Sequence, residues 1–306
     1  MTTIRFGYAC LALGVPGSEL RSCTARTATA QRLREVTAHN LNALGLLVDY
    51  NAENSIRLFR ISSNLIPFGS SPLNFLPWWE EFSDVFAALG ERIARTSLRV
   101  SMHPGQYTVL NSPDEEVVRR AVADLDYHER VLRLLNTDES SKLILHLGGA
   151  YGDKPVSCDR FCRNWERLSD SVRHRVVLEN DDRSYHIADV LRVAGRLGIP
   201  AVFDCLHHAI NPPEVGGTPG FWIGECAKTW HPWDGRQKIH YSQQNPGGKP
   251  GAHSQTISLE DFLPFYESIR NRDLDVMLEV KDKNLSAVKC MAAASGFSTL
   301  PSPELE

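Results

Sequence analysis

Leu143-Ile144-Leu145-His146 is an apolar run that stops on a metal-ligand side chain, and five other runs do the same. They are Ser97-Leu98-Arg99-Val100-Ser101-Met102-His103, Val176-Val177-Leu178-Glu179, Ala201-Val202-Phe203-Asp204, Lys238-Ile239-His240 and Val276-Met277-Leu278-Glu279. Apolar on both faces and β-branched or Leu/Phe-rich, they read as parallel strands covered by helices. Strands are expected over 4–10, 57–63, 97–103, 142–148, 175–181, 200–206, 237–242 and 275–281. Amphipathic segments lie between them, the first striped by Leu33, Val36, Leu41, Leu44 and Leu47, the third by Val117, Val118, Ala121, Leu125 and Val131. Eight strand–helix units predict an α/β fold, a single (β/α)8 TIM barrel with its active site at the C-terminal ends of the strands. The rival α/β solution, a doubly wound open sheet, calls for a Gly-rich phosphate loop after the first strand, and Ala9-Cys10-Leu11-Ala12-Leu13 is not one. The barrel is expected over 1–296, with 297–306 as a C-terminal tail.

Composition narrows the function classes. The 306 residues are 42% hydrophobic, enough for one barrel-sized core. No apolar run approaches the length of a membrane span, and the N-terminus runs into a strand pattern without a secretory signal, so the chain is expected to be cytoplasmic. Seven scattered cysteines with no CxxC pair argue for free thiols over a disulfide framework or a thiolate zinc site. A net charge of −4 argues against a protein that coats nucleic acid non-specifically, but says nothing of a local basic groove.

The strand ends carry the chemistry. The 11 histidines and 37 acidic residues are a small minority of the chain, yet they close six of the eight strands. Buried carboxylates and imidazoles cost desolvation energy unless paired or coordinated, and divalent ions would offset that cost for all of them together. The expected ligand set is His103, His146, Glu179, Asp204, His207, His240, His253 and Glu279. His207 enters through the spacing Asp204-x-x-His207, and His253 through the Gly/Pro-rich loop after strand seven, a long flexible connection on the active-site face. Imidazole and carboxylate without thiolate suit zinc, manganese or iron, and eight side chains fit two or three ions, with Glu179 as the expected bridge. His208, His39, His128, His174, His186 and His231 read as structural or solvated. Lys238 lies two residues before His240 on the same strand face. It reads as a neutral amine, a phosphate contact, a carbamylated lysine near the metals, or an ion-paired lysine. Just past His103, Gln106-Tyr107 sit in a loop at the barrel mouth, where an aromatic beside an amide can wedge into a base stack. Lys249, Lys154 and Arg60 are weak phosphate contacts against a default of solvated surface charge.

At these residues the chain resembles the UV damage endonuclease family of DNA repair nucleases. The segment Ser101-Met102-His103-Pro104-Gly105-Gln106-Tyr107-Thr108-Val109-Leu110-Asn111-Ser112-Pro113 carries most of the likeness. Arg57 to Leu65, His146 to Lys154, Leu178 to Asp182, Phe203 to His208 and Val276 to Lys283 add to it in order along the chain. The resemblance implies a (β/α)8 barrel holding up to three divalent ions, commonly Mn²⁺, with Zn²⁺, Mg²⁺ or Co²⁺ as alternatives. It also implies incision of UV-damaged double-stranded DNA immediately 5′ of a photoproduct, a cyclobutane pyrimidine dimer or a six-four photoproduct, leaving a 3′-hydroxyl. Family ligand positions fall on the eight residues named above, the family lysine on Lys238 as a carboxylated residue, and the pair that probes the DNA opposite the lesion on Gln106-Tyr107. Glu179, Glu279 and Lys238 are then the catalytic set, and Tyr8 a lesion-pocket residue. One position departs: where the family carries a polar Asn shortly after Tyr-x-Cys, Tyr8-Ala9-Cys10 is followed by Leu11-Ala12-Leu13. No protein partner is evident, and a monomer is expected. Three alternatives use similar side chains: a metal-dependent sugar isomerase or epimerase barrel, an AP-endonuclease-like nuclease, and a silent damage-binding protein that would have lost ligands.

Overall fold

The apolar runs form eight parallel strands that close on themselves. The computed structural model describes residues 3–214 and 216–297. Its strands are β1 (Ile4–Ala9), β2 (Leu58–Ile61), β3 (Arg99–Met102), β4 (Leu143–His146), β5 (Val176–Glu179), β6 (Ala201–Asp204), β7 (Gln237–Tyr241) and β8 (Leu274–Leu278). Each pairs with the next, and β8 pairs with β1, closing the barrel in sequence order. The strands are shorter than the apolar runs suggested. His146, Glu179 and Asp204 end theirs, whereas His103 and Glu279 stand one residue beyond and His240 one residue before the end.

Helices α1 (Ala30–Glu53), α2 (Trp78–Glu81), α3 (Ser83–Arg95), α4 (Glu115–Leu134), α5 (Lys154–Trp165), α6 (Asp170–Arg173), α7 (Ile187–Leu197), α8 (Cys205–Ile210), α9 (Pro219–Ala227), α10 (Leu259–Ile269) and α11 (Asn284–Phe297) form the outer layer and its short connectors. Their starts follow local chemistry. Thr29, Asp114 and Asp153 accept from backbone N–H groups of the first turns of α1, α4 and α5, satisfying donors that have no intrahelical partner. Gly198 ends α7 in the left-handed region at φ 68°, where a side chain would be strained.

Alternate strand residues face two cores. Phe6, Tyr8, Phe59, Val100, Leu178 and Phe203 point outward and join the large core between barrel and helices. Leu58, Ala9 and Met277 form one small interior cluster, and Ile144, Val177 and Val202 another. The interior positions below them are charged: Asp275 accepts from Arg5 Nε at 2.6 Å and from Arg99 Nη1 at 2.8 Å. The interior positions above them are the predicted ligands. All seven cysteines are free thiols, and no helix among the described residues is long and apolar enough to cross a membrane. Of the tail expected over 297–306, only the helical Phe297 lies within the described residues.

Candidate metal centre

Glu179 lies at the middle of the predicted ligands. Its Oε2 is 3.1 Å from His103 Nε2 and 3.6 Å from His146 Nε2; its Oε1 is 2.7 Å from His240 Nδ1 and 3.8 Å from His207 Nδ1. Burial alone would raise this carboxyl. The imidazoles of His240 and His146, with hydrogen bonds from His103 and His240, outweigh that and hold it well below the usual carboxylate range. Just past β8, Glu279 Oε1 lies 3.1 Å from His240 Nδ1. Asp204, fully buried, accepts from the His207 backbone N–H at 2.7 Å through Oδ1.

Three triads bring ligand atoms within 4.8 Å of one another: His103, His146 and Glu179; Glu179, Asp204 and His207; Asp204, His240 and Glu279. Glu179 and Asp204 each belong to two, as bridging carboxylates would. The side chains are also oriented as ligands. His103 and His207 donate from Nδ1 to the backbone carbonyls of Pro104 and Asn180, both at 2.9 Å, so that Nε2 is the nitrogen able to ligate once its proton gives way to an ion. His146 Nδ1, Asp204 Oδ2 and His240 Nε2 are buried without a hydrogen-bond partner. Buried polar atoms are normally satisfied, so the orphan oxygen of Asp204, within a set of carboxylate and imidazole donors, fits divalent ions; the orphan nitrogens of His146 and His240 are the ring atoms opposite those that face Glu179.

Seven of the eight predicted ligands therefore come together. His253 stands outside the three triads. It bridges to Gln244 across an antiparallel turn, with Asn245 N–H donating to Ala252 at 2.7 Å. The Gly/Pro-rich segment, expected as a long flexible loop, is thus closed into a hairpin, pinned by Gln244 bonds to Lys249 and Gly251.

Lys238 is fully buried and its Nζ has no hydrogen-bond partner. Burial pushes the ammonium well below its ordinary range; Arg99, Arg60 and Arg5 push further, and Asp275 opposes them without reversing the shift. The ion-paired reading of Lys238 is thus not what the interior provides.

Arg60 is not the surface charge that its sequence context suggests. It is largely enclosed at the barrel mouth, its side chain 13% exposed, and it donates to Glu279, placed there by the same alternation that turns Leu58 inward. Lys154 is ion-paired with Asp189 at 2.8 Å, and Lys249 is exposed. Asn180, to which the sequence reading assigns no role, joins β5 to β6: it donates to the Asp204 carbonyl at 3.1 Å and accepts from the Asp204 N–H at 2.9 Å.

Gln106 and Tyr107 are exposed beside this cluster, Tyr107 at 67%. They occupy a turn closed by Thr108 N–H to Gly105 at 2.9 Å. A Cβ on Gly105 would stand 2.3 Å from the Tyr107 ring, so the ring lies over a position open only to glycine. Tyr107 walls a cavity of about 900 Å³ together with Ser63, Asn64, Phe68, Arg21 and Arg120. The cavity adjoins the cluster, since Ser63 donates to the His103 carbonyl at 2.6 Å. Tyr8 is elsewhere. Its side chain is fully buried in the outer core, 5.1 Å from the Phe59 ring between centroids, and it has no surface to offer a lesion. Its neighbours Gly7 and Ala9 take the inward positions.

A TIM barrel carrying a buried, multi-dentate histidine–carboxylate cluster beside an exposed aromatic turn defines the class of protein. The particular family follows from the chain as a whole. It belongs to the UV-endonuclease UvdE family, whose model matches residues 4–303, and is thus a nuclease of the UV DNA damage endonuclease kind. It is 39% identical over 293 residues to a UV DNA damage endonuclease of Clostridium perfringens, an alignment covering 94% of this chain and 70% of that one. A crystal structure titled SacUVDE superposes with a TM-score of 0.91 at 35% identity, covering 97% of this chain and 100% of the other. An endonuclease IV from Thermus thermophilus shares the fold alone, with a TM-score of 0.59 at 13% identity over 96% and 98% of the two chains.

Proposed function

We propose that this protein is a metal-dependent endodeoxyribonuclease that hydrolyses the phosphodiester immediately 5′ of UV photoproducts in duplex DNA and leaves a 3′-hydroxyl. The observation that carries the reading is the Glu179 carboxylate, ringed by four imidazoles, within one barrel mouth that also bears the exposed Gln106-Tyr107 turn. His103, His146 and Glu179 would hold one ion; Glu179, Asp204 and His207 a second; Asp204, His240 and Glu279 a third, with His253 reaching in from its hairpin. Two or three divalent ions held there, manganese first among them, would supply phosphate charge neutralisation and lower the pKa of the attacking water.

The remaining work falls to the chain. Glu279, whose Oε1 takes Arg60 and His240, presents its other oxygen to orient that water. Lys238, kept neutral and unpartnered, has the condition needed to add carbon dioxide: the Nζ lone pair forms an N–C bond, an amine proton leaves, and the resulting carbamate carries a negative charge toward Arg60 and Arg99. Gln106 and Tyr107 enter the base stack opposite the lesion. Unstacking costs a few kcal/mol and less at a damaged step, so the wedge selects damage by deformability. An exposed wedge also supports a polymer substrate over the small closed pocket of a sugar epimerase. With Tyr8 buried, it acts by packing behind β1 and not by touching the lesion.

The test is cleavage, with Mn²⁺, of two duplexes identical except for one thymine dimer. The expected result is a single cut 5′ of the dimer and little cutting of the undamaged duplex. Equal cutting of both would overturn the lesion-directed reading.

A further inference from the structure

The cavity beside Tyr107 is lined by α4, the loop after β1 and two further loops, 62–77 after β2 and 103–114 after β3, and the last two are tied to one face of α4. Thr108 Oγ1 donates to Asp124 Oδ2 at 2.6 Å, and Ser70 Oγ donates to Asp124 Oδ1 at 2.8 Å. A single carboxylate thus takes one loop on each oxygen. Three residues on, the Tyr127 hydroxyl donates to the Ser63 carbonyl at 2.9 Å and accepts from Ile66 N–H at 3.2 Å. Gly69 lies flat on the Tyr127 ring, where a Cβ would approach to 2.3 Å. The spacing i, i+3, i+4 places Asp124, Tyr127 and His128 on one helix face, and Asp124 is only 2% exposed.

A helix packed on a barrel has no need of a carboxylate there. Burying a charge costs free energy that an apolar residue would not incur, and an apolar residue would hold neither loop. Thr108 directly follows Tyr107, so fixing Thr108 fixes the base of the wedge; Ser70 fixes the opposite wall. Neither Asp124 nor its partners belong to the ligand triads. We propose that Asp124 is a positioning residue for damage recognition: it holds the Tyr107 turn and the Ser63–Ser70 loop at a set separation, so that the aromatic wedge meets the DNA preorganised. This rests on the reading of Gln106-Tyr107 given above.

The experiment is steady-state cleavage of the dimer-containing duplex by wild type, Asp124→Asn, Thr108→Val, Thr108→Ser and Ser70→Ala, with bound metal measured for each. Losing a hydrogen bond to a buried charge is expected to raise KM about tenfold in Asp124→Asn and Thr108→Val, with kcat within about twofold of wild type and metal content unchanged. Thr108→Ser, which keeps the hydroxyl donor, is expected to restore KM. A merely structural defect would lower the active fraction, and so the apparent kcat, without moving KM. Unchanged KM in Asp124→Asn and Thr108→Val, in an enzyme whose wild type prefers the dimer, overturns the inference alone. A wild type that cuts both duplexes equally overturns the functional reading and the inference with it. Should Asp124→Asn not fold, Thr108→Val and Ser70→Ala decide by the same measure.

Discussion

Arg60 and Glu279, at the ends of the two strands that flank β1, meet as a largely enclosed ion pair at the barrel mouth. Burial by itself would raise the Glu279 carboxyl; Arg60 and then His240 overcome it and hold it far below the usual carboxylate range. The guanidinium is therefore the standing counter-charge of a carboxylate that the proposal also gives to a metal. Removing one partner of a buried pair costs about 3–5 kcal/mol, because the other is left uncompensated. Arg60→Gln is expected to lose that much stability in the metal-free protein and distinctly less when saturated with Mn²⁺, which supplies the missing charge. Urea unfolding of both proteins in both states checks this; an equal loss with and without metal would show that Glu279 does not contribute to metal binding.

Lys238 makes a separate prediction. An unpartnered amine among three arginines is a poor place for an ammonium and a favourable one for a carbamate. Protein equilibrated with carbon-13 bicarbonate is expected to show one slowly exchanging carbamate signal by NMR, absent from Lys238→Met. A spectrum without it would leave Lys238 as a neutral amine. Because Lys238→Met replaces a group without a hydrogen bond by an apolar one of similar length, the variant is expected to fold with stability near that of wild type.

The barrel was legible because parallel strands are apolar on both faces and their ends recur at helix-sized intervals. That same two-sided hydrophobicity hides which residues face in. Tyr8 illustrates the cost: nothing in Phe6-Gly7-Tyr8-Ala9 marks its direction until Ala9 is seen packing inside with Leu58 and Met277. Arg60 was hidden for a second reason. Its partner is 219 residues away, and an arginine after Arg57-Leu58-Phe59 looks like a solvated charge. His103 and Glu279 could be assigned although they overrun their strands by a residue, since ligand direction follows the two-residue alternation and not the formal strand end. Asp124 was unreadable, because its acceptors' worth comes from two loops that only the fold brings together.

Metal stoichiometry separates the triads from His253. The seven clustered residues leave a buried orphan oxygen on Asp204, so chelation is expected to lower the unfolding temperature and Mn²⁺ to raise it. At about 100 times the dissociation constant, a bound ion contributes about 2.7 kcal/mol. Elemental analysis of the loaded protein is expected to find two or three ions per chain, one fewer in His253→Ala. A count of one or less in wild type would defeat the multi-ion site. An unchanged count in His253→Ala would leave the hairpin histidine out of it.

His128 gives the protein an acid-sensitive element outside the ligand triads. Its ring is fully buried, Nδ1 donates to the Asp124 carbonyl at 2.6 Å, and Nε2 has no partner. A second proton would have to sit on Nε2, inside the core. Burial accordingly pushes the imidazole below its ordinary value, with Asp124 opposing but not reversing the shift. A histidine whose folded pKa is depressed takes up its proton more readily when unfolded. Its contribution to stability is therefore complete above the unfolded value of about 6.5 and is lost as pH falls below it toward the folded pKa. Each proton taken up on unfolding contributes a slope of at most about 1.4 kcal/mol per pH unit. His128→Phe keeps the ring and removes the titration. Chelated wild type and variant, unfolded in urea from pH 7.5 to pH 5, are expected to diverge below about pH 6.5, the wild type falling more steeply by up to one proton's slope. The other buried histidines titrate alike in both proteins and cancel in the difference, so parallel profiles would mean that His128 accommodates its charge in the fold.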